Sequence, residues 1–284
     1  MRAALIPSEG IGDALLMLAA APLILSKGYQ LTCYHDRIGS IAPWFASVQF
    51  AKKPELAKSD LIIAQNDNSP FIKDLICHNR SNVSIFYPTY TPSKHAPLDP
   101  KDKVFDPTSP MRKNIVLAAA SLLDISHFTF DKITPPQPLY YRAFIKRILI
   151  HPTSHMPEKN WPRSAFMTLA KKMQYKGFFP HFVVTREERA AWEGIPFPVI
   201  SPSTLADWAS LVYESGYVIS NDSAAGHLAA VLNIPSTIIA KDKKHMQLWR
   251  PDSENSTVVF PPVLKRLSFI SPHRVLRDFT KQNG

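Results

Sequence analysis

Three loops in this chain carry side chains suited to binding phosphate and moving a proton. The first, over residues 7–13, sets Gly10 and Gly12 just ahead of Asp13, where an apolar segment begins. The Asp13 carboxylate could take a proton from a hydroxyl, or cap the following helix by bonding its first free amides. The second, over 152–161, offers the hydroxyls of Thr153 and Ser154 and the ammonium of Lys159 before a helix start marked by Trp161-Pro162. Such a set binds anions, or forms a solvated loop anchored by a core tryptophan. The third reads Ser220-Asn-Asp222-Ser223-Ala224-Ala-Gly-His227 and leads into a small-residue helix whose amides can face a phosphate. There Asp222 or Ser223 could equally act as a cap, and His227 could meet a ligand or settle into the core.

Other chemistries find no support. The glycine pattern of the first loop lacks the third glycine of GxGxxG, and no Walker A sequence is present. Neither GxSxG nor a cysteine-centred nucleophile motif occurs. The ten histidines show no HxH or HExxH spacing, so no metal site is expected. Cys33 and Cys77 stand far apart outside any CxxC pattern, which fits a reducing cytoplasm.

The elements that must hold these loops alternate. Apolar periodicity predicts strands over 3–6, 30–34 and 61–64, with helical segments over 13–27, 42–45 and 71–78. A proline-rich stretch over 88–110 reads as a long loop, and 111–123 as a helix. After Pro135-Pro136-Gln-Pro138 the pattern restarts, with strands over 148–151, 179–185, 198–200, 217–220 and 237–240, helices over 163–174, 187–192 and 205–215, and a loop and helix over 221–232. The expectation is an α/β fold of two domains, 1–145 and 146–284, each loop following the carboxyl end of a strand where open parallel sheets bind ligands.

The apolar run over 14–25 is too short to span a bilayer and contains Pro22. Net charge is +10, and 241–284 holds nine Lys or Arg against four Asp or Glu. A basic surface favours an anionic partner. Nucleic acid is not the expected one, because no RNP-type motif or helix-turn-helix accompanies the charge.

Taken in order, the motifs resemble those of glycosyltransferase family 9, the ADP-heptose:lipopolysaccharide heptosyltransferases. Gly10-Ile-Gly12-Asp13-Ala-Leu is similar to the family's opening motif, and Lys159-Asn-Trp161-Pro162 to its Lys-x-Trp-Pro segment. The run 220–230 resembles its Asp-Thr-Gly and His-Leu-Ala-Ala signature, and Ile270-Ser-Pro-His-Arg-Val275 its closing segment. Ser223, Ala224 and Lys241 depart from the pattern, standing for threonine, glycine and glycine.

The resemblance implies a GT-B fold of two facing Rossmann-like domains with parallel sheets, the first binding acceptor and the second the nucleotide sugar, with the C-terminal helix packing back on the first. It implies inverting transfer of heptose from an ADP-linked donor to a lipopolysaccharide core or related anionic, lipid-linked glycan, with no required metal or cofactor. Asp13 would be the base, and Gly10 and Gly12 would shape the acceptor-side loop. Thr153, Ser154 and Lys159 would hold the diphosphate, Glu187 or Glu188 the ribose, and Asp222, Ser223, Ala224 and His227 the sugar and phosphates. The place of work would be the cytoplasm, at or near the inner membrane surface. Two other readings stand beside it: the same fold with another sugar nucleotide, and a non-catalytic nucleotide-sugar or glycan binder.

Overall fold

The computed structural model describes residues 1–78, 80–127, 133, 135–136 and 138–283. The chain forms two compact units, Met1–Thr134 with Gln247–Trp249, and Pro135–Met246 with Arg250–Gly284. The residues just before 145 are tied to the second of these units. The Arg142 and Phe144 amides donate to the Tyr213 and Glu214 carbonyls at 2.9 and 2.8 Å.

In the first unit the strands are β1 (Arg2–Ile6), β2 (Gln30–Tyr34), β3 (Val48–Ala51), β4 (Leu61–Gln65), β5 (Val83–Tyr87) and β6 (Lys103–Val104). They pair in the order β3-β2-β1-β4-β5-β6, all parallel. Helices α1 (Ile11–Met17), α2 (Ala21–Ser26), α3 (Pro70–His78) and α4 (Met111–Leu122) alternate with them. The order reverses between β1 and β4, so a crevice opens at their carboxyl ends. The single helix expected over 13–27 is divided, with a tight turn over Leu18–Ala20 before α2. Pro22 explains the break: it has no amide to continue the ladder and sits where a new helix starts.

The second unit repeats the plan with β7 (Phe144–His151), β8 (Phe179–Val183), β9 (Val199–Ile200), β10 (Ser215–Asn221), β11 (Ser236–Ile239) and β12 (Ser256–Val259). Their order, β12-β11-β10-β7-β8-β9, reverses between β10 and β7. The helices of this unit are α5 (Arg163–Tyr175), α6 (Leu205–Tyr213), α7 (Ala224–Val231) and α9 (Pro272–Asn283), while α8 (His245–Trp249) starts in it and has its last three residues counted with the first. A capping box at Thr204 and Asp207 sets the start of α6.

Each unit has its own apolar core. Ile6, Ile62, Ile85 and Tyr87 centre one in the first unit, and Trp161, Phe166, Phe182 and Tyr217 one in the second. The C-terminal helix α9 contributes to the second of these cores. Its buried residues Val275, Leu276 and Phe279 lie in the second unit's core, where the Phe279 ring meets Tyr217 at 4.8 Å and Phe178 at 4.9 Å. Among the described residues no helix is long and apolar enough to cross a membrane.

Candidate active site

At the β1/β4 crevice, Asp13 is the third residue of α1, and Gly10, not Asp13, occupies the N-cap position. No side chain caps this helix. The carboxylate instead accepts from Gln65 Nε2 at 2.7 Å through Oδ1. Gln65 ends β4 and is buried. The loop before α1 is tied down from β2: His35 Nε2 donates to the Glu9 carbonyl at 3.1 Å, and Arg37 donates to the same oxygen. His35 Nδ1 accepts the Arg37 amide at 3.1 Å, which leaves the proton on Nε2. Burial pushes the His35 imidazole below its usual value, keeping it in this neutral form.

The second crevice, at the carboxyl ends of β7 and β10, gathers the other two loops. Asn221, the last residue of β10, is fully buried and fixes residues 152–161 from below. Its Nδ2 donates to the Pro152 carbonyl at 2.7 Å and its Oδ1 accepts the Trp161 amide at 2.9 Å. Trp161 is a core residue whose indole donates to the Ile270 carbonyl at 3.0 Å. The loop is therefore anchored rather than free, and Lys159 Nζ reaches Asp222 Oδ2 at 2.7 Å. His245 Nε2 approaches the same oxygen at 3.5 Å. Burial alone would push the Asp222 carboxyl up, but hydrogen bonds and positive charge from His245 and Lys159 outweigh it and hold it at about 2.

Neither Asp222 nor Ser223 caps α7. Ser223 takes the N-cap position in extended backbone, yet its buried hydroxyl has no partner among the described residues. Ala224 begins the helix proper, so glycine is not required there by conformation. The Ala224 and Ala225 amides precede the first intrahelical bonds, as at any helix start, while the Gly226 amide donates to the Ser223 carbonyl at 3.2 Å; Asp222, paired with Lys159, immediately precedes the Ser223 N-cap. His227 lies buried on the same helix.

Thr153 is buried, and its hydroxyl donates to Glu188 Oε2 at 2.9 Å, an oxygen that also accepts the Thr185 amide at 2.9 Å. Glu188 is thus part of the site's frame, whereas Glu187 is exposed. Hydrogen bonds from the Glu187 backbone and the Thr185 hydroxyl hold the Glu187 carboxyl below its usual range. The Ser154 hydroxyl lies 2.7 Å from the Met156 carbonyl and 2.8 Å from Asn160 Oδ1, and its one proton serves one of them. The residues read from sequence therefore fall into two sets, Gly10, Gly12 and Asp13 in the first unit and the rest in the second. Gln65, Asn221, His35 and His245 were not among them. For Gln65 the available signal was a polar residue closing an otherwise apolar strand; Asn221 closes a strand that already carries Ser215 and Ser220 and offered no such signal. Among the described residues, no group of three His, Cys, Asp or Glu stands together to hold a metal ion.

The architecture is shared with solved glycosyltransferases. E. coli ADP-heptose LPS heptosyltransferase II matches with a TM-score of 0.75 at 15% identity, over 99% of this chain and 98% of that one. E. coli heptosyltransferase WaaC with ADP matches at 0.71 and 15% identity, over 99% and 100%. A family 9 glycosyl transferase from Veillonella parvula matches at 0.72 and 14%, over 99% and 96%. At such identities the likeness is one of fold, GT-B. No curated protein matches the sequence. The family model described as glycosyltransferase family 9 (heptosyltransferase) matches residues 123–264, half of the chain and nearly all of the second crevice's loops. The chain is thus a glycosyltransferase and belongs to family 9.

Proposed function

We propose that this enzyme transfers a heptose, with inversion, from ADP-heptose to a lipopolysaccharide core or related anionic glycan. The observation that carries this reading is the Lys159–Asp222 pair at 2.7 Å beside the open start of α7. A nucleoside diphosphate gains negative charge as its bond to the sugar breaks. An ammonium held in place and aimed amides stabilise that charge without reorganising. Asp222 fixes the ammonium, Thr153 and Ser154 line the loop beside it, and Glu188, or Glu187 outside it, serves the ribose. Asp13 takes the proton of the acceptor hydroxyl as it attacks. The names of the solved relatives support the donor: one carries ADP, and another E. coli WaaC structure carries ADP-2-deoxy-2-fluoro heptose. The net charge of +10 suits a peripheral position at an anionic membrane surface on the cytoplasmic side.

Asp13→Ala should lower transfer by roughly 10²- to 10⁴-fold while leaving donor affinity nearly unchanged, and Lys159→Ala should weaken donor binding. Release of ADP, UDP or GDP from a panel of donors, with heptose-deficient lipopolysaccharide as acceptor, reads both the nucleotide and the rate. Normal turnover by Asp13→Ala removes the base assignment. Preference for a UDP or GDP sugar replaces ADP-heptose and would fit the departures at Ser223, Ala224 and Lys241.

A further inference from the structure

Gln65 makes unequal use of its two polar ends. It is 2% exposed and follows the apolar residues Leu61–Ala64 along β4, a position where an amide is costly unless both ends are hydrogen-bonded. Its NH₂ donates to Asp13 Oδ1 at 2.7 Å, across 52 residues of sequence. Its Oε1 is buried and has no partner among the described residues. A carboxylate only accepts, so the NH₂ must face it. A glutamine serving stability alone would be expected to satisfy both ends. This one leaves its carbonyl unpaired and spends its donor on a carboxylate at the crevice.

The other carboxylate oxygen is placed by an empty space. A Cβ built on Gly10 would lie 2.4 Å from Asp13 Oδ2 and 3.4 Å from its Cγ, so the side chain folds back over the bare glycine. The carboxylate is therefore fixed from two sides, with Oδ1 held by Gln65 and Oδ2 seated against Gly10. We propose that Gln65 is a positioning residue for the reaction, locking the Asp13 carboxylate so that Oδ2 is the oxygen offered to the acceptor hydroxyl. This rests on the reading of Asp13 as the base.

Two substitutions test it. Gln65→Leu removes the donor, and the isosteric Gln65→Glu replaces the amide NH₂ with a carboxyl oxygen. The readout is the split between kcat and donor KM with ADP-heptose in the full chain, measured beside ADP binding. Roughly ten- to hundredfold lower kcat at unchanged donor KM and unchanged ADP binding is expected in both variants. A variant with only a packing defect would lose ADP binding and kcat together with folded protein, and Gln65→Glu keeps the test readable should Gln65→Leu fail to fold. Wild-type kcat in Gln65→Glu overturns the role of Gln65 even where Asp13→Ala is inactive. Normal transfer by Asp13→Ala overturns the base assignment and this proposal with it.

Discussion

Asp222 must keep its charge in a place nearly closed to water, and it does so with two polar partners, the Lys159 ammonium and the His245 imidazole. Its side chain is 13% exposed, Lys159 stands at 2.7 Å and His245 at 3.5 Å. Burial opposes ionisation, yet the two partners hold the carboxyl at about 2 against an ordinary 3.8. As pH falls, the unfolded chain takes up this proton first. The stabilisation is therefore full above 3.8 and is lost as pH falls through about 2, a contribution of ~2 kcal/mol at neutral pH. Urea unfolding of wild type and Asp222→Asn should show a stability gap that narrows from pH 5 to pH 2. A gap independent of pH would rule out the ionised pair as its source. Lys159 and Asp222 were both legible in the sequence, because each sits in a loop with unusual polar content after a strand. Their pairing was not, since 63 residues separate them and only the sheet order brings their loops together. His245 was hidden for another reason: it follows Lys241–Lys244 and reads as one more charge in a basic tail.

Among the elements, the β7–β10 pairing at the centre of the second sheet depends on one residue without a side chain. A Cβ on Gly216 would lie 1.8 Å from the Ile145 carbonyl oxygen in the neighbouring strand, where the register shifts between Ser215 and Tyr217. The obstacle is backbone and cannot rotate away. Gly216→Ala should therefore destabilise the protein by about 1–3 kcal/mol or more, measured as a lower urea midpoint, and wild-type stability would show that the strands can separate without penalty. The long buried strands were legible because their apolar runs end at turn residues, as at Leu61–Gln65. Others were not. Val83–Tyr87 is wholly buried, but Ser84 interrupts its apolar run, and only the structure shows that hydroxyl donating to the Lys101 carbonyl at 2.6 Å. The two-residue strand Lys103–Val104 carries too little pattern to be read, whereas Val199–Ile200 falls within the strand expected over 198–200. Ser256–Val259 alternates little, because three of its four residues are only partly buried at the sheet edge.

At the scale of the whole molecule, the chain repeats one sheet order in two units, each with its own core and its own crevice. The proposed division of labour follows from which residues each crevice holds. Thr153, Lys159, Glu188 and Asp222 all belong to the second unit, and Asp13 and Gln65 to the first. A nucleotide that binds the native protein stabilises it by about 2.7 kcal/mol at a hundred times its Kd, and most of that should appear where its contacts are. Hydrogen exchange with ADP as the probe should slow over residues 152–161 and 220–227. Asp13→Asn should leave that protection intact, because the base contributes to the acceptor's proton and not to the diphosphate. Half of the net charge of +10 lies in 241–284, so the overall charge adds attraction for any polyanion. Inorganic diphosphate and ADP must therefore be compared at the same ionic strength, where long-range attraction is alike for both and the residual difference reports the nucleoside. If ADP leaves exchange over 152–161 and 220–227 unaltered, the second crevice is not the donor's place, and the assignment of Lys159 and Asp222 falls while that of Asp13 is still decided by its own variant.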